Sequence, residues 1–230
     1  MFRPLAIAID GPAGSGKSTV ARRVAHRLGF LYVDTGAMYR AVTYLALRSS
    51  VNLDDESELF SFVQKLRFSL VHFLKSGEVF LWCNGEDLTP HLRTREVSRF
   101  VSKVAAVPAV RRQLVSFQRF FAQGRGVVME GRDIGTVVLP DADYKFFLTA
   151  SLDVRVSRRE KELLAQGKSV DREELRRELM FRDEMDCRRE VGPLKVAADA
   201  MVIDTTSLGV EEVVGIIIRE IEEKERGGGG

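Results

Sequence analysis

Nine consecutive residues, Gly11-Pro12-Ala13-Gly14-Ser15-Gly16-Lys17-Ser18-Thr19, have the types and spacing needed to hold phosphate. In the pattern G-x-x-x-x-G-K-[ST], glycines let backbone N–H groups turn inward around phosphate oxygens, at the positive N-terminal end of the helix that follows. Lys17 is spaced to reach the outer phosphates, and Ser18 to offer a hydroxyl to Mg²⁺. A flexible Gly/Ser turn with a solvated lysine is the plain alternative, but such a turn needs neither a strand before it nor a helix after it. Both are written here: Leu5 to Asp10 is a short unalternating apolar run, and Val20, Val24, Ala25 and Leu28 recur on one helical face. The chemistry implied is that of a nucleoside triphosphate site.

The elements that must position this loop can be read in order. Gly29 closes the first helix, and Phe30 to Val33 reads as a second buried strand, which delivers Asp34, Thr35 and Gly36 to the edge where open parallel sheets bind ligands. Thr35 or Asp34 can cap a helix over Ala37 to Arg48, with Tyr39 and Arg40 in its first turns, and Asp54 to Leu66 predicts another. From Arg67 the period becomes two: Arg67 to Phe73, a turn around Lys75-Ser76-Gly77, Val79 to Cys83, and a turn at Asn84-Gly85 predict a small antiparallel sheet in which His72 and Trp82 pack or sit on an edge rather than touch a ligand. Helices follow over Arg93 to Ala105 and Ala109 to Phe121, with Pro108 in the first turn of the second. Gly126 to Glu130, Tyr144 to Thr149 and Ala200 to Asp204 complete the buried strands; Gly131-Arg132-Asp133 ends the first of these, and Ser151 caps a helix after the second. Val210, Val213, Val214, Ile217, Ile218 and Ile221 form a closing helical stripe. Five buried strands interleaved with helices make a doubly wound α/β fold with a parallel sheet.

Composition narrows the partners. Among 230 residues, 35 basic against 33 acidic side chains leave +2, so no nucleic acid or acidic membrane is called for, and 45% hydrophobic content suffices for a core. Cys83, Cys187, His26, His72 and His91 lack the spacing of a zinc site. No leader pattern and no run of membrane-spanning length is present, which suits a reducing cytoplasm. Residues 155–189 hold 11 Lys/Arg and 9 Asp/Glu in 35 positions, too charged for a core, and read as solvated helices laced by ion pairs. Gly227 to Gly230 predict a disordered tail.

The second strand's end and two later stretches sharpen the picture. The guanine-reading N-K-x-D pattern is absent, since Asn52 and Asn84 precede Leu and Gly. The nine-residue loop, Asp34-Thr35-Gly36-Ala37-Met38-Tyr39-Arg40, Glu130-Gly131-Arg132-Asp133-Ile134-Gly135-Thr136-Val137-Val138 and Arg182-Asp183-Glu184-Met185-Asp186-Cys187-Arg188-Arg189 together resemble the bacterial-type cytidylate kinase family. Ala13 and Thr35 stand where some relatives carry serine, both conservative departures. The resemblance implies a P-loop kinase core (1–34, 105–154 and 190–226), an inserted monophosphate-binding domain with a small three-stranded antiparallel sheet (35–104), a helical lid (155–189) and a tail (227–230). It implies ATP with Mg²⁺ as phosphoryl donor, CMP and dCMP as acceptors, and a monomer with neither nucleic acid nor membrane as partner. The loop residues Gly11 to Thr19 would hold ATP, with Ser18 on the metal. Tyr39, Arg40 and Arg132 would hold the acceptor phosphate, with Asp34 nearby; Ser102, Arg111 and Asp133 would read the base; Arg182 and Asp186 would hold the sugar. Lys17, Arg132, Arg189 and Arg158, with Arg159, would surround the transferring group. Another small acceptor such as UMP, or a nucleotide-gated binding module, are the alternative readings.

Elementary chemistry agrees with these roles. Cytosine shows an N4 donor beside N3 and O2 acceptors, so its reader needs one carboxylate and one or two donors, whereas uracil would set its O4 acceptor against that carboxylate. Arginine suits the acceptor phosphate because its fork binds two oxygens and keeps its charge.

Overall fold

Apolar runs without alternation must be covered on both faces, and the fold covers all but the last, an edge strand where Met201 and Val202 stay exposed and only Ile203 is buried. In the computed structural model, which describes residues 4–73 and 78–227, β1 (Ala6–Asp10), β2 (Leu31–Asp34), β6 (Val127–Gly131), β7 (Tyr144–Thr149) and β8 (Met201–Asp204) form one parallel sheet in the order β2-β6-β1-β7-β8. A second, antiparallel sheet joins β3 (Phe68–Phe73), β4 (Glu78–Cys83) and β5 (Glu86–Asp87). The expected turn at Lys75-Ser76-Gly77 lies outside the described residues.

On one face of the parallel sheet lie α1 (Lys17–Leu28) and α8 (Val210–Gly227). Val213, Val214, Ile217 and Ile221 are the residues of the predicted stripe that become buried, and they pack with Val20 and Val24 against Ile7 and Ile9. Each such side chain contributes roughly 1.5–3 kcal/mol by leaving water. α8 runs through Gly227, the first residue expected in the tail, and 228–230 lie outside the described residues. The other face carries α2 (Thr35–Arg48), α3 (Glu56–Val63), α4 (Arg95–Ala106) and α5 (Pro108–Ala122). There a single apolar cluster runs from Val33 and Met129 through Val42 and Leu114 out to Phe68 and Leu81 of the small sheet.

Caps explain where the helices depart from the pattern read in the sequence. α2 starts two residues early because the Asp34 carboxylate accepts from the Ala37 amide at 2.9 Å. α3 starts at Glu56 because Asp55 accepts from Ser57 and Glu58, and it stops before Gln64. Thr94 likewise fixes the start of α4 by accepting from the Val97 amide at 3.2 Å. The charged segment folds as α6 (Leu152–Ala165) and α7 (Arg172–Arg188). It is ion-paired outside, as at Arg172–Glu160 and Arg176–Asp153, yet Val156, Leu175 and Leu179 bury a small seam of their own against Ala13. That seam brings the charged helices onto the phosphate-type loop.

Candidate active site

The loop between β1 and α1 is held open by glycine and tied down by neighbours. Gly11 has φ 144°, and a Cβ there would collide with the Leu148 carbonyl of β7. Gly16, at φ 93°, is the N-cap of α1 and brings no side-chain acceptor, so the first-turn amides face the loop. The Lys17 ammonium, almost fully buried, donates to the Pro12 carbonyl at 2.6 Å and to Ser15 Oγ at 3.3 Å. Behind the loop, Thr205 Oγ1 lies 3.0 Å from the carbonyls of both Ser15 and Thr149. Arg158 donates to Thr205 Oγ1 at 2.9 Å and to the Thr205 carbonyl at 2.6 Å, and reaches Ser15 O at 3.4 Å. Arg155 spans from the Ala13 carbonyl at 3.1 Å to the α7 carboxylate of Asp183 at 2.6 Å.

Two buried carboxylates flank Lys17. Asp10, at the end of β1, accepts from the Ile134 and Gly135 amides at 2.8 Å each, which fixes the turn after Asp133 and the short π-helix Ile134–Val138. Burial outweighs these bonds and pushes its carboxyl up to about 6. Glu130, at the end of β6, accepts from the Tyr32 hydroxyl at 2.8 Å. Its carboxyl is raised by burial and then by the Asp34 charge, while Lys17 and the Ser18 hydroxyl hold it back. Lys17 itself is lowered to about 7, first by burial and then by Arg132. Among the described residues no three His, Cys, Asp or Glu side chains converge as a preformed metal cage.

Beyond Lys17 a chain of alternating charges joins α5, the turn after β6 and the end of α7. Arg111 of α5, 1% exposed, pairs with Asp133 Oδ2 and donates to the Ala105 carbonyl at 3.1 Å. Asp133 Oδ1 lies 3.4 Å from Arg189, Arg189 lies 3.7 Å from Asp186, and Asp186 accepts from Arg132 Nε at 2.7 Å. Arg132, Arg189 and Arg182 hold the Asp186 carboxyl below its ordinary range against the effect of burial.

Past Arg132 the alternation ends and cations crowd together. Arg182 is lowered to about 9 by burial and by its neighbours Arg132 and Arg40, and its buried Nε has no hydrogen-bond partner among the described residues. Arg40 is lowered to about 10 by burial, with Arg93, Arg159 and Arg132 adding to the effect and Asp34 opposing it. Arg40 also donates to Ser98 Oγ at 3.2 Å. Guanidinium groups gathered this closely disfavour one another until an anion joins them.

Most of the residues singled out in the sequence are therefore brought together, but not all in the expected places. Lys17, Arg40, Arg132 and Arg182 share the cationic corner, and Arg111, Asp133, Asp186 and Arg189 share the alternating chain. Tyr39, expected beside the acceptor phosphate, lies under Arg111, with the guanidinium 5.3 Å from its ring centroid. Ser102 lines a cleft of about 580 Å³ between α4 and α7, beside Phe100, Phe181 and Met185, and among the described residues it makes no hydrogen bond to Arg111 or Asp133. Arg158 is engaged by Ser15 and Thr205, whereas Arg159, paired with Glu162 at 2.6 Å, is the α6 arginine that bears on Arg40 and Arg182. Asp34 caps α2 and lies 3.8 Å from Arg93. Sequence patterns assign no role to Asp10, Glu130, Arg155 or Thr205. Asp10 and Glu130 had a usable signal, a carboxylate at the C-terminal end of a buried strand, while Arg155 and Thr205 act through contacts more than 140 residues away in the chain.

The sequence profile of the family described as cytidylate kinase matches residues 7–223. A cytidylate kinase of Geobacillus sp. (strain WCH70) is 51% identical over 97% of this chain and 99% of its own length. One from Pelotomaculum thermopropionicum is 51% identical over 96% of this chain and 97% of its own. A solved gluconokinase from Sinorhizobium meliloti 1021 superposes with a TM-score of 0.50 at 15% identity, over 99% of this chain and 98% of that one, a likeness of fold.

Proposed function

The chain belongs to the cytidylate kinase family, and on that premise we propose how its charges are divided between two ligands. The enzyme transfers the γ-phosphoryl group of ATP to CMP, giving CDP and ADP, and accepts dCMP in the same way. The observation that carries this reading is the change past Arg132 from alternating charge to an excess of cations, which Asp34 and Asp186 only partly offset. A phosphate placed among Arg40, Arg132 and Arg182 relieves their mutual repulsion, and the neighbouring Asp186, Asp133 and Arg111 offer carboxylates and forked donors to a sugar and a base.

The loop amides and Lys17 hold the donor phosphates, and the acceptor phosphate oxygen attacks the γ-phosphorus in line as the bond to the departing ADP breaks. That oxygen is already anionic, so no general base is assigned. Mg²⁺ fits the corner beside Lys17, where Ser18 and Glu130 provide hard oxygen donors that already meet. When bound, the ion would spread the charge of the β and γ phosphates. Asp133 accepts from the cytosine amino group while Arg111 pairs with its other oxygen.

Residues 35–104 serve as the monophosphate-binding domain and 155–189 as the lid, with the kinase core formed by 1–34, 105–154 and 190–226. Arg155 supports the lid assignment, since one guanidinium ties Ala13 of the loop to Asp183 of α7. The reading includes a monomer, and the need for ATP supports a cytoplasmic setting. The test is ADP release with ATP, Mg²⁺ and each of CMP, dCMP, UMP, AMP and GMP. Turnover with CMP and dCMP, and far less with UMP, is expected; equal turnover with all five would remove the base-reading assignment.

A further inference from the structure

On α5 the inward stripe is apolar at Val110, Leu114 and Phe121 but polar at Arg111 and Gln118, seven positions apart and so on one side of the helix. Gln118 is completely buried, and among the described residues neither end of its amide has a hydrogen-bond partner. An apolar side chain would fill that place without leaving polar atoms unpaired, so packing alone does not account for a glutamine. The Tyr39 hydroxyl of α2 is buried and unpartnered too, and the Gln118 amide lies against it just outside hydrogen-bond geometry. Above the Tyr39 ring sits the Arg111 guanidinium, which in turn holds Asp133.

We propose that Gln118 is a positioning residue of the acceptor site: it fixes the Tyr39 ring, and the ring is the shelf that aims Arg111 at Asp133. The inference rests on the reading of Arg111 and Asp133 as the base-reading pair. A glutamine suits the task because its amide can accept from the tyrosine O–H at one end and donate at the other, so a small rotation of either group completes the bond. The cation over the ring then has a platform that cannot tilt. Gln118 touches neither ligand, so its effect falls on acceptor binding and base choice and leaves the donor loop alone.

The test compares Gln118→Met, which keeps length and volume, with Tyr39→Phe and the double variant, at varied CMP, UMP and ATP. Gln118→Met is expected to raise KM for CMP roughly tenfold and to narrow the CMP/UMP discrimination by about the same factor, with kcat and the KM for ATP within about threefold of the parent. If Gln118 acts through the hydroxyl, the double variant is no worse than the worse single one. An unchanged CMP KM and discrimination ratio in Gln118→Met, or effects of the two substitutions that simply add, would overturn the proposal. The same cycle read in Tm needs no substrate. A parent enzyme that leaves CMP untouched would therefore defeat the functional reading, while additive Tm shifts would separately defeat the Gln118–Tyr39 contact.

Discussion

The donor loop and the acceptor chain hold charge in opposite ways. The donor loop is nine consecutive residues whose binding groups are backbone amides, and its one cation, Lys17, is folded onto the loop's own Pro12 carbonyl. The acceptor chain has almost no local sequence continuity: Arg111 from α5, Arg132 and Asp133 after β6, and Asp186 and Arg189 at the end of α7 meet only because the sheet and two helical layers carry them there. A loop built of backbone can accept any triphosphate, since amides do not distinguish bases. A chain built of paired side chains has a fixed donor and acceptor pattern, and that pattern selects. Under the proposed division of the site, generality on the donor side and selectivity on the acceptor side follow from this contrast.

The most severe break of the comparison is on the donor side. Lys17→Ala is expected to lower kcat by roughly 10³-fold or more while Tm holds or rises, because the ammonium is buried at some cost and stabilises charge that develops only in transfer. Single-turnover kinetics with thermal unfolding checks both halves, and retained turnover would remove the donor-loop assignment.

A milder and more selective effect is expected on the acceptor side. Asp133→Asn keeps the shape but turns an acceptor into a group that can donate to uracil O4. The expected loss in kcat/KM for CMP is about 1–3 kcal/mol, with UMP improved relative to CMP. An unchanged CMP/UMP ratio would take Asp133 out of base reading.

The smallest effect sharpens the link between the two regions. Asp10 ends the donor strand yet accepts from Ile134 and Gly135 of the acceptor turn. Its folded carboxyl sits at about 6 against an ordinary 3.8, so the folded protein keeps a proton that the unfolded chain has released. The sign follows: the penalty is absent below the ordinary value, grows as pH rises between the two, and is complete above about 6. Its ceiling is roughly 3 kcal/mol by linkage. Asp10→Asn should flatten that part of the stability profile, measured by urea unfolding at acid and neutral pH; an unaltered profile would show that Asp10 does not titrate there.

The contrast also explains what could be read in advance. The donor loop was legible because its residues are consecutive, and the five core strands because parallel strands are written as unbroken apolar runs, even in β8, which leaves Met201 and Val202 exposed at the sheet edge. β5 was not legible from periodicity, since Glu86 and Asp87 are too few to show a period. The π-helix after Asp133 escaped because the carboxylate that shapes it, Asp10, is 124 residues away from the Ile134 amide it receives. Arginines of the acceptor chain could be named only through the family resemblance. Spacing alone could not pair Arg111 with Asp133, seat Tyr39 beneath Arg111, or set Ser102 in the cleft between α4 and α7.

The most direct test of the account follows the phosphorus itself. With ATP labelled at the γ position, Mg²⁺ and CMP, the protein should place the label on the outer phosphate of CDP, with little inorganic phosphate released. Label appearing only as inorganic phosphate, with CMP unchanged, would contradict a site built to bring two anionic ligands together.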